Sequence, residues 1–331
     1  MAEARAALII GEIIEGKIAG TTFELLAAGR KIAEGIGGEV CGVLLGERIT
    51  EEQASELIFG GADRVIAIEH PLLSSYQTEP YLAALERLCR EREPEVVLMA
   101  HADMGRDLAP RLAFRLDTGL VTDCIDILLE EGKVLFLKPV YGGNAHAIYR
   151  CETRPQMATI RPKAVEPLQR DETRKGEIER IAPQLDPASV KVKVIERVKE
   201  EAPGVKLEEA EVVVCGGRGI GGPEGFKELE ELAKLLGGAV GATRPPCDQG
   251  WVPPHLQIGL TGKIVSPNLY IGIALSGSSQ HLAGITGAKN IVAINKDEEA
   301  NIFKVARFGV VGDYKKVLPA FIAKCRELLS K

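Results

Sequence analysis

The residues with most chemistry to offer follow five apolar runs in the back half of the chain. Val212 to Cys215 is followed by Gly216-Gly217-Arg218-Gly219-Ile220-Gly221-Gly222, and Ala239 to Ala242 by Thr243-Arg244. Leu269 to Ala274 leads into Ser276-Gly277-Ser278-Ser279-Gln280-His281, Ile291 to Ile294 into Asn295-Lys296-Asp297, and Phe308 to Val311 into Gly312-Asp313. In an open parallel sheet, loops and helix amino termini converge beyond the carboxyl ends of the strands, where ligands bind. Hydrogen-bonding groups at five such ends point to a ligand site, because stability alone does not call for them.

Gly217, Gly219 and Gly222 fit G-x-G-x-x-G, which lets backbone amides approach a phosphate at a helix start. The pattern equally suits a tight turn that needs small residues. A nicotinamide site would place an acidic residue near the end of the second strand, where this chain has Thr243 and Arg244. Ser276 to His281 is the firmer anchor: Ser276 and Gly277 leave a strand, and Ser278, Ser279, Gln280 and His281 would open a helix whose free amides face a pyrophosphate. A lone histidine is more often structural, but beside a phosphate-binding turn His281 reads as functional. Arg244 could be only a surface cation. The Gln257-to-Lys263 loop, with Ile258, Gly259, Leu260 and Thr261, could be only a connection, yet long loops over a carboxyl edge often hold cofactors.

The elements that must position these groups alternate. The first part reads as strand (Ala7 to Ile13), helix (Thr22 to Glu34), strand (Val40 to Leu45), strand (Arg64 to Ile68), helix (Tyr81 to Arg92), strand (Val96 to Ala100) and helix (Gly105 to Leu116), the rhythm of a parallel sheet flanked by helices. From Val121 to Arg161 shorter runs with glycine turns predict antiparallel pairing. Val165 to Lys206 is charged, with one alternating strand expected at Val190 to Val198. After it, a helix carries Phe226, Leu229, Leu232, Ala233 and Leu236 on one face and stops at Gly237 and Gly238. The fold class expected is α/β with two domains: a nucleotide-binding-like α/β domain over 1–206 that ends in a linker, and a doubly wound parallel-sheet domain over 207–331.

Composition narrows the classes. At 331 residues the chain exceeds the roughly 250 at which a single core stops growing. A net charge of −6 and the lack of a basic stripe argue against nucleic acid as partner. The start is too interrupted for a signal peptide, and no apolar run reaches the ~18 residues of a membrane span, so a cytoplasmic protein without membrane insertion is expected. Seven scattered cysteines without C-x-x-C, and five histidines at no ligand spacing to them, predict neither a disulfide framework nor a metal site.

In order and spacing, several strings resemble the α subunit of electron-transfer flavoproteins: Gly216-Gly217-Arg218-Gly219, Gly241-Ala242-Thr243-Arg244, Asp248-Gln249-Gly250-Trp251-Val252-Pro253, Thr261-Gly262-Lys263, Ser276-Gly277 with Gln280-His281, and Ala293-Ile294-Asn295-Lys296-Asp297. Gly105-Arg106-Asp107-Leu108-Ala109-Pro110-Arg111 and Arg154-Pro155-Gln156-Met157-Ala158-Thr159 extend the resemblance over nearly the whole chain. It implies one FAD across the second domain and a first domain packed on a smaller β subunit as a heterodimer. Arg218 and Ser276 to His281 would line the cofactor, Asn295 and Asp313 would face its ribityl and adenosine parts, and Thr243, Arg244, Ile258, Gly259, Leu260, Thr261 and His281 would surround the isoalloxazine ring. No residue of this chain is expected to be catalytic in its own right.

One-electron reduction puts negative charge on the N1 and C2-carbonyl side of a flavin, where fixed donors or cations stabilise it. Arg244 and His281 are the residues expected there, with Thr261 exchanging a hydrogen bond with N5. The family's electron acceptors are often an acyl-CoA dehydrogenase or a quinone reductase. Leu260, where many relatives carry glutamine, and Tyr76-Gln77-Thr78-Glu79-Pro80-Tyr81 resemble the subgroup that bifurcates electrons. In that subgroup the β subunit holds a second FAD, takes hydride from NADH and sends one electron to ferredoxin or flavodoxin. Two other readings stay open: an NAD(P)-dependent dehydrogenase, and a non-redox scaffold subunit that binds an adenine nucleotide.

Overall fold

The structure, a computed structural model, describes residues 5–143, 145–192, 194–196 and 205–329. These divide into two compact units, 5–140 with 145–196 and 141–143 with 205–329. Among the described residues no helix is long and apolar enough to cross a membrane.

In the first unit β1 (Ala6–Ile10) runs through a small hairpin, β2 (Ile13–Ile14) and β3 (Lys17–Ile18), into α1 (Gly20–Ile36). Gly37, at φ 67°, ends α1 in the left-handed conformation that glycine adopts without steric cost. Then come β4 (Glu39–Gly46), α2 (Glu51–Phe59), β5 (Arg64–Glu69), α3 (Thr78–Arg92), β6 (Val96–Ala100) and α4 (Asp103–Arg115). A capping box between Thr50 and Gln53 starts α2, a helix too short to show in the apolar periodicity.

Past α4 the order is β7 (Leu120–Cys124), β8 (Asp126–Glu130), β9 (Lys133–Val140), β10 (Ala145–Tyr149), β11 (Gln156–Ile160) and β12 (Glu177–Ile181). The expected antiparallel region is only half antiparallel. β8, β9 and β10 form an antiparallel sheet, but β7 and β11 join a seven-stranded parallel sheet of order β12-β5-β4-β1-β6-β11-β7. The strand expected at Val190 to Val198 is absent from 190–192 and 194–196, and the rest of it lies outside the described residues. The linker region instead supplies β12, whose Glu-Ile-Glu-Arg-Ile pattern carries too little apolar signal for a buried strand but suits a sheet edge.

The second unit holds β13 (Val212–Gly216), α5 (Phe226–Leu235), β14 (Ala239–Ala242), α6 (Arg244–Asp248), β15 (Leu269–Ile273), α7 (Ser279–Leu282), β16 (Ile291–Asn295), β17 (Phe308–Val311) and α8 (Tyr314–Leu329). Its five strands pair in parallel in the order β14-β13-β15-β16-β17. Successive side chains of a strand point to opposite faces. Accordingly Val214 enters the core under α5 and α8, while Val213 and Cys215 enter the core on the other face. Phe226, Leu229, Leu232 and Ala233 bury the inner stripe of α5, about 1.5–3 kcal/mol for each of the larger side chains. The chain passes from β13 to β14 on one side and then crosses to β15 on the other, so a crevice opens above the carboxyl ends of β13 and β15.

Candidate cofactor site

A cavity of about 540 Å³ lies at that crevice. Arg218 reaches it from the loop after β13, Thr243, Arg244 and Pro245 from the end of β14, and Ser278, Gln280 and His281 from the turn after β15. Gln257, Ile258, Gly259, Leu260 and Thr261 close it from above the sheet. Asp248 and Gln249 line it too, and these two with Pro245 and Gln257 are cavity residues beyond those expected from residue type. Asp248 and Gln249 stood in one of the matching strings, and Gln257 opens the loop already marked as a cofactor holder.

Ser276, Gly277, Ser279, Asn295 and Asp313 do not line this cavity. Asn295 is buried with its amide spent locally: Nδ2 donates to the Leu275 carbonyl at 2.7 Å, and Oδ1 accepts the Asp297 amide at 3.0 Å. Asp313 Oδ1 accepts the Lys315 amide at 3.0 Å, in the first turn of α8. These two residues fasten loops at their own strand ends.

The glycine run differs from a dinucleotide fingerprint. Two single 3-10 turns, Arg218–Ile220 and Pro223–Gly225, intervene before α5 starts at Phe226, so the glycines do not open a helix. A Cβ on Gly217 would stand 2.5 Å from the Ala274 carbonyl oxygen, and one on Gly219 2.8 Å from the same atom. Both glycines let the loop after β13 lie against the loop after β15. The helix expected after Ser276-Gly277 is also a single turn, so it contributes little dipole. Its turn still offers donors: among the described residues the backbone amides of Gly277, Ser278, Ser279 and Gln280 make no hydrogen bond to the protein.

The loop from Gln257 to Lys263 is held at several points. The Ile258 amide donates to the Ala242 carbonyl at 2.8 Å, and the Leu260 amide to the Gln280 carbonyl at 2.8 Å. Gln257 Nε2 donates to Thr261 Oγ1 at 3.0 Å, which leaves the threonine proton to point elsewhere. Arg244 is exposed and Nε donates to Asp248 Oδ2 at 3.1 Å. His281 is 4 % exposed. Its Nδ1 lies 3.0 Å from the Ile258 carbonyl oxygen and its Nε2 2.7 Å from the Tyr270 hydroxyl. Burial holds it below the usual histidine value, against a smaller upward pull from the Ile258 carbonyl. Both ring nitrogens of His281 thus have partners within the protein, and burial disfavours the charged form.

Comparison with known proteins decides the family. The electron transfer flavoprotein domain matches residues 7–186, and the electron transfer flavoprotein FAD-binding domain matches residues 206–286. The electron transfer flavoprotein subunit alpha of Thermoanaerobacterium thermosaccharolyticum is 44% identical over 97% of this chain and 97% of its own length. The chain belongs to the electron transfer flavoprotein alpha-subunit family. The Bacillus subtilis alpha subunit is likewise 44% identical, over 97% of each chain. The acryloyl-CoA reductase electron transfer subunit beta of Anaerotignum propionicum is 37% identical over 95% of this chain and 93% of its own.

FAD is the cofactor of this family's second domain, and the residues present fit it. A flavin presents a row of acceptors at N1, the C2 and C4 carbonyls and N5, with apolar faces on either side. The cavity answers with Arg218, Arg244, Thr243, Thr261, Gln280 and Ser278 as donors and with Ile258, Leu260 and Pro245 as apolar surface. The unused amides of residues 277–280 suit a pyrophosphate.

Proposed function

We propose that this chain is the α subunit of a heterodimeric electron carrier, in which residues 207–331 hold FAD and the domain over 1–206 packs on a β subunit. The observation that carries the reading is the cavity at the switch point of the five-stranded sheet, lined with donors and apolar surface inside a matched FAD-binding domain. When bound, FAD supplies a centre that accepts and passes on electrons singly. The chain's part is to bind, orient and tune it. Arg244 brings positive charge to the rim, Thr261 offers its free hydroxyl proton to N5, and Ile258 and Leu260 cover the ring. Arg218, with the amides of the turn after β15, holds the pyrophosphate side.

Electrons would arrive from a dehydrogenase or a β-subunit flavin and leave to an acyl-CoA dehydrogenase or quinone reductase. Leu260, 63% exposed at the cavity, together with the relative that serves acryloyl-CoA reductase, favours a bifurcating version. There a second FAD on the β subunit takes hydride from NADH and divides the pair between ferredoxin or flavodoxin and the α-subunit site. The absence of a helix at the glycine run speaks against a nicotinamide dehydrogenase built on this chain. Co-purification with the β subunit, followed by release and counting of cofactors, tests the proposal. Two FAD per pair support bifurcation, one FAD supports a simple carrier, and no FAD after reloading overturns both.

A further inference from the structure

We propose that Tyr270, a residue outside the cavity lining, is a positioning residue of the flavin site: it locks the His281 tautomer and through it fixes the loop that carries Thr261. The proposal rests on the reading of this cavity as the FAD site.

Three elements meet in one buried chain of hydrogen bonds. Tyr270 is fully buried in β15, at 0% exposure, and its hydroxyl lies 2.7 Å from His281 Nε2. His281 sits in α7, and its Nδ1 lies 3.0 Å from the carbonyl oxygen of Ile258, in the loop over the sheet. A carbonyl only accepts, so Nδ1 must carry the proton. Nε2 is then the acceptor, and the Tyr270 hydroxyl must donate to it. The chain has a single polarity, from tyrosine through imidazole to carbonyl. Protonating the ring would require the hydroxyl to turn its proton away and accept from Nε2–H, and burial disfavours the charged form, so the arrangement favours neutral histidine.

The loop is the beneficiary. Ile258 is tethered from one side by His281 and from the other by β14, while the Leu260 amide is held by the Gln280 carbonyl. Three residues after Ile258 comes Thr261, whose hydroxyl accepts from Gln257 and keeps its own proton free. Without the Tyr270 hydroxyl, Nε2 is left a buried acceptor with no donor, and the ring is held by the Ile258 carbonyl alone, free to turn or to exchange tautomers and so to leave Ile258 without a fixed donor. Misplacing a positioned group by about 1 Å can cost a hundredfold in rate. A Phe at this position would fill the same space without the hydroxyl that a buried tyrosine must pair.

The test uses the heterodimer with 15N-labelled histidine. Long-range 1H–15N spectra, recorded with flavin and after its removal, should show His281 as the Nδ1–H tautomer, titrating below the ordinary histidine range. In Tyr270→Phe the tautomer should become mixed and titrate toward the ordinary histidine range, and the first-electron potential should acquire a pH dependence that the wild type lacks, with FAD dissociating at least tenfold faster. An unchanged tautomer in the variant overturns the lock. A changed tautomer with unchanged potential and dissociation overturns the positioning role. If Tyr270→Phe does not fold, 3-fluorotyrosine keeps the ring and sharpens the donor; an unmoved His281 Nε2 resonance then overturns the proposal. A heterodimer that holds no flavin sinks the cofactor reading, while the spectra of the flavin-free protein still decide the lock.

Discussion

Arg244 and Asp248 share one ion pair at the cavity rim, 3.1 Å apart and both well exposed. The aspartate draws off charge that would otherwise act on the flavin. Arg244→Ala should therefore lower the first-electron potential, and Asp248→Asn should raise it. Screening keeps an exposed pair to about 0.5–1 kcal/mol, equivalent to roughly 20–40 mV for one electron. Spectroelectrochemical titration of both variants checks the opposite signs; shifts of the same sign would remove Arg244 from the flavin's field. Thr261→Val should lower the same potential by a lost hydrogen bond of about 1 kcal/mol, or roughly 40 mV. Gln257→Leu should have a smaller effect, since it only orients that hydroxyl, and an equal or larger one would mean that the glutamine itself meets the ring. At this scale the residue types were legible but their geometry was not. His281 belonged to the site, yet its Nε2 partner is Tyr270, eleven positions back in an ordinary apolar strand. Asn295, expected by type and place to face a ligand, also uses its amide to close the loop between two strand ends.

The elements followed apolar periodicity where burial was two-sided. β6 and β14 occur at the positions that the apolar runs predicted, and so does β17 although its side chains are exposed, while β12 and α2 did not register because one is charged and the other short. Antiparallel pairing was foreseen for residues whose runs β7 and β11 go to the parallel sheet instead; run length and glycine turns do not encode the partner. The loop over the cavity shows how closely these elements are fitted. A Cβ on Gly284, just past α7, would stand 2.6 Å from the backbone of Gly259. Gly284→Ala should push that loop off the cavity, at the roughly 1–3 kcal/mol typical of overpacking. Because the strain falls on the loop and not on the sheet, FAD affinity should drop about tenfold or more with little change in global unfolding. Flavin retention on gel filtration beside far-UV circular dichroism separates the two; a loss of secondary structure with flavin still bound would contradict this division.

For the molecule as a whole, the buried titratable groups give the two units different responses to pH. In the first, Glu12 is pushed up to about 7 by burial and then by Asp103, and its Oε1 is buried without a hydrogen-bond partner. Glu24 is pushed up to about 7 by burial, against the opposing hydrogen bond from the Lys163 amide. A carboxyl raised in the folded state contributes its full stability below the ordinary carboxylate value and loses it as pH climbs to about 7. His101 in the same unit, and His281 in the second, are lowered mainly by burial. Their contribution is present above the ordinary histidine value and is lost as pH falls below it. Both units should thus weaken under acid, the second reported by Trp251, the chain's single tryptophan. The first carries a cost at neutral pH that a neutral side chain would relieve. Glu12→Gln should stabilise the first unit by about 1–3 kcal/mol at pH 8 and by nothing near pH 4, where the carboxyl is protonated in both states. Hydrogen-exchange protection of β1 and α1 in the heterodimer, corrected for intrinsic rates, measures this directly. Equal protection of variant and wild type at pH 8 would mean that Glu12 is solvated in solution, and would leave Glu24 to carry the first unit's alkaline loss.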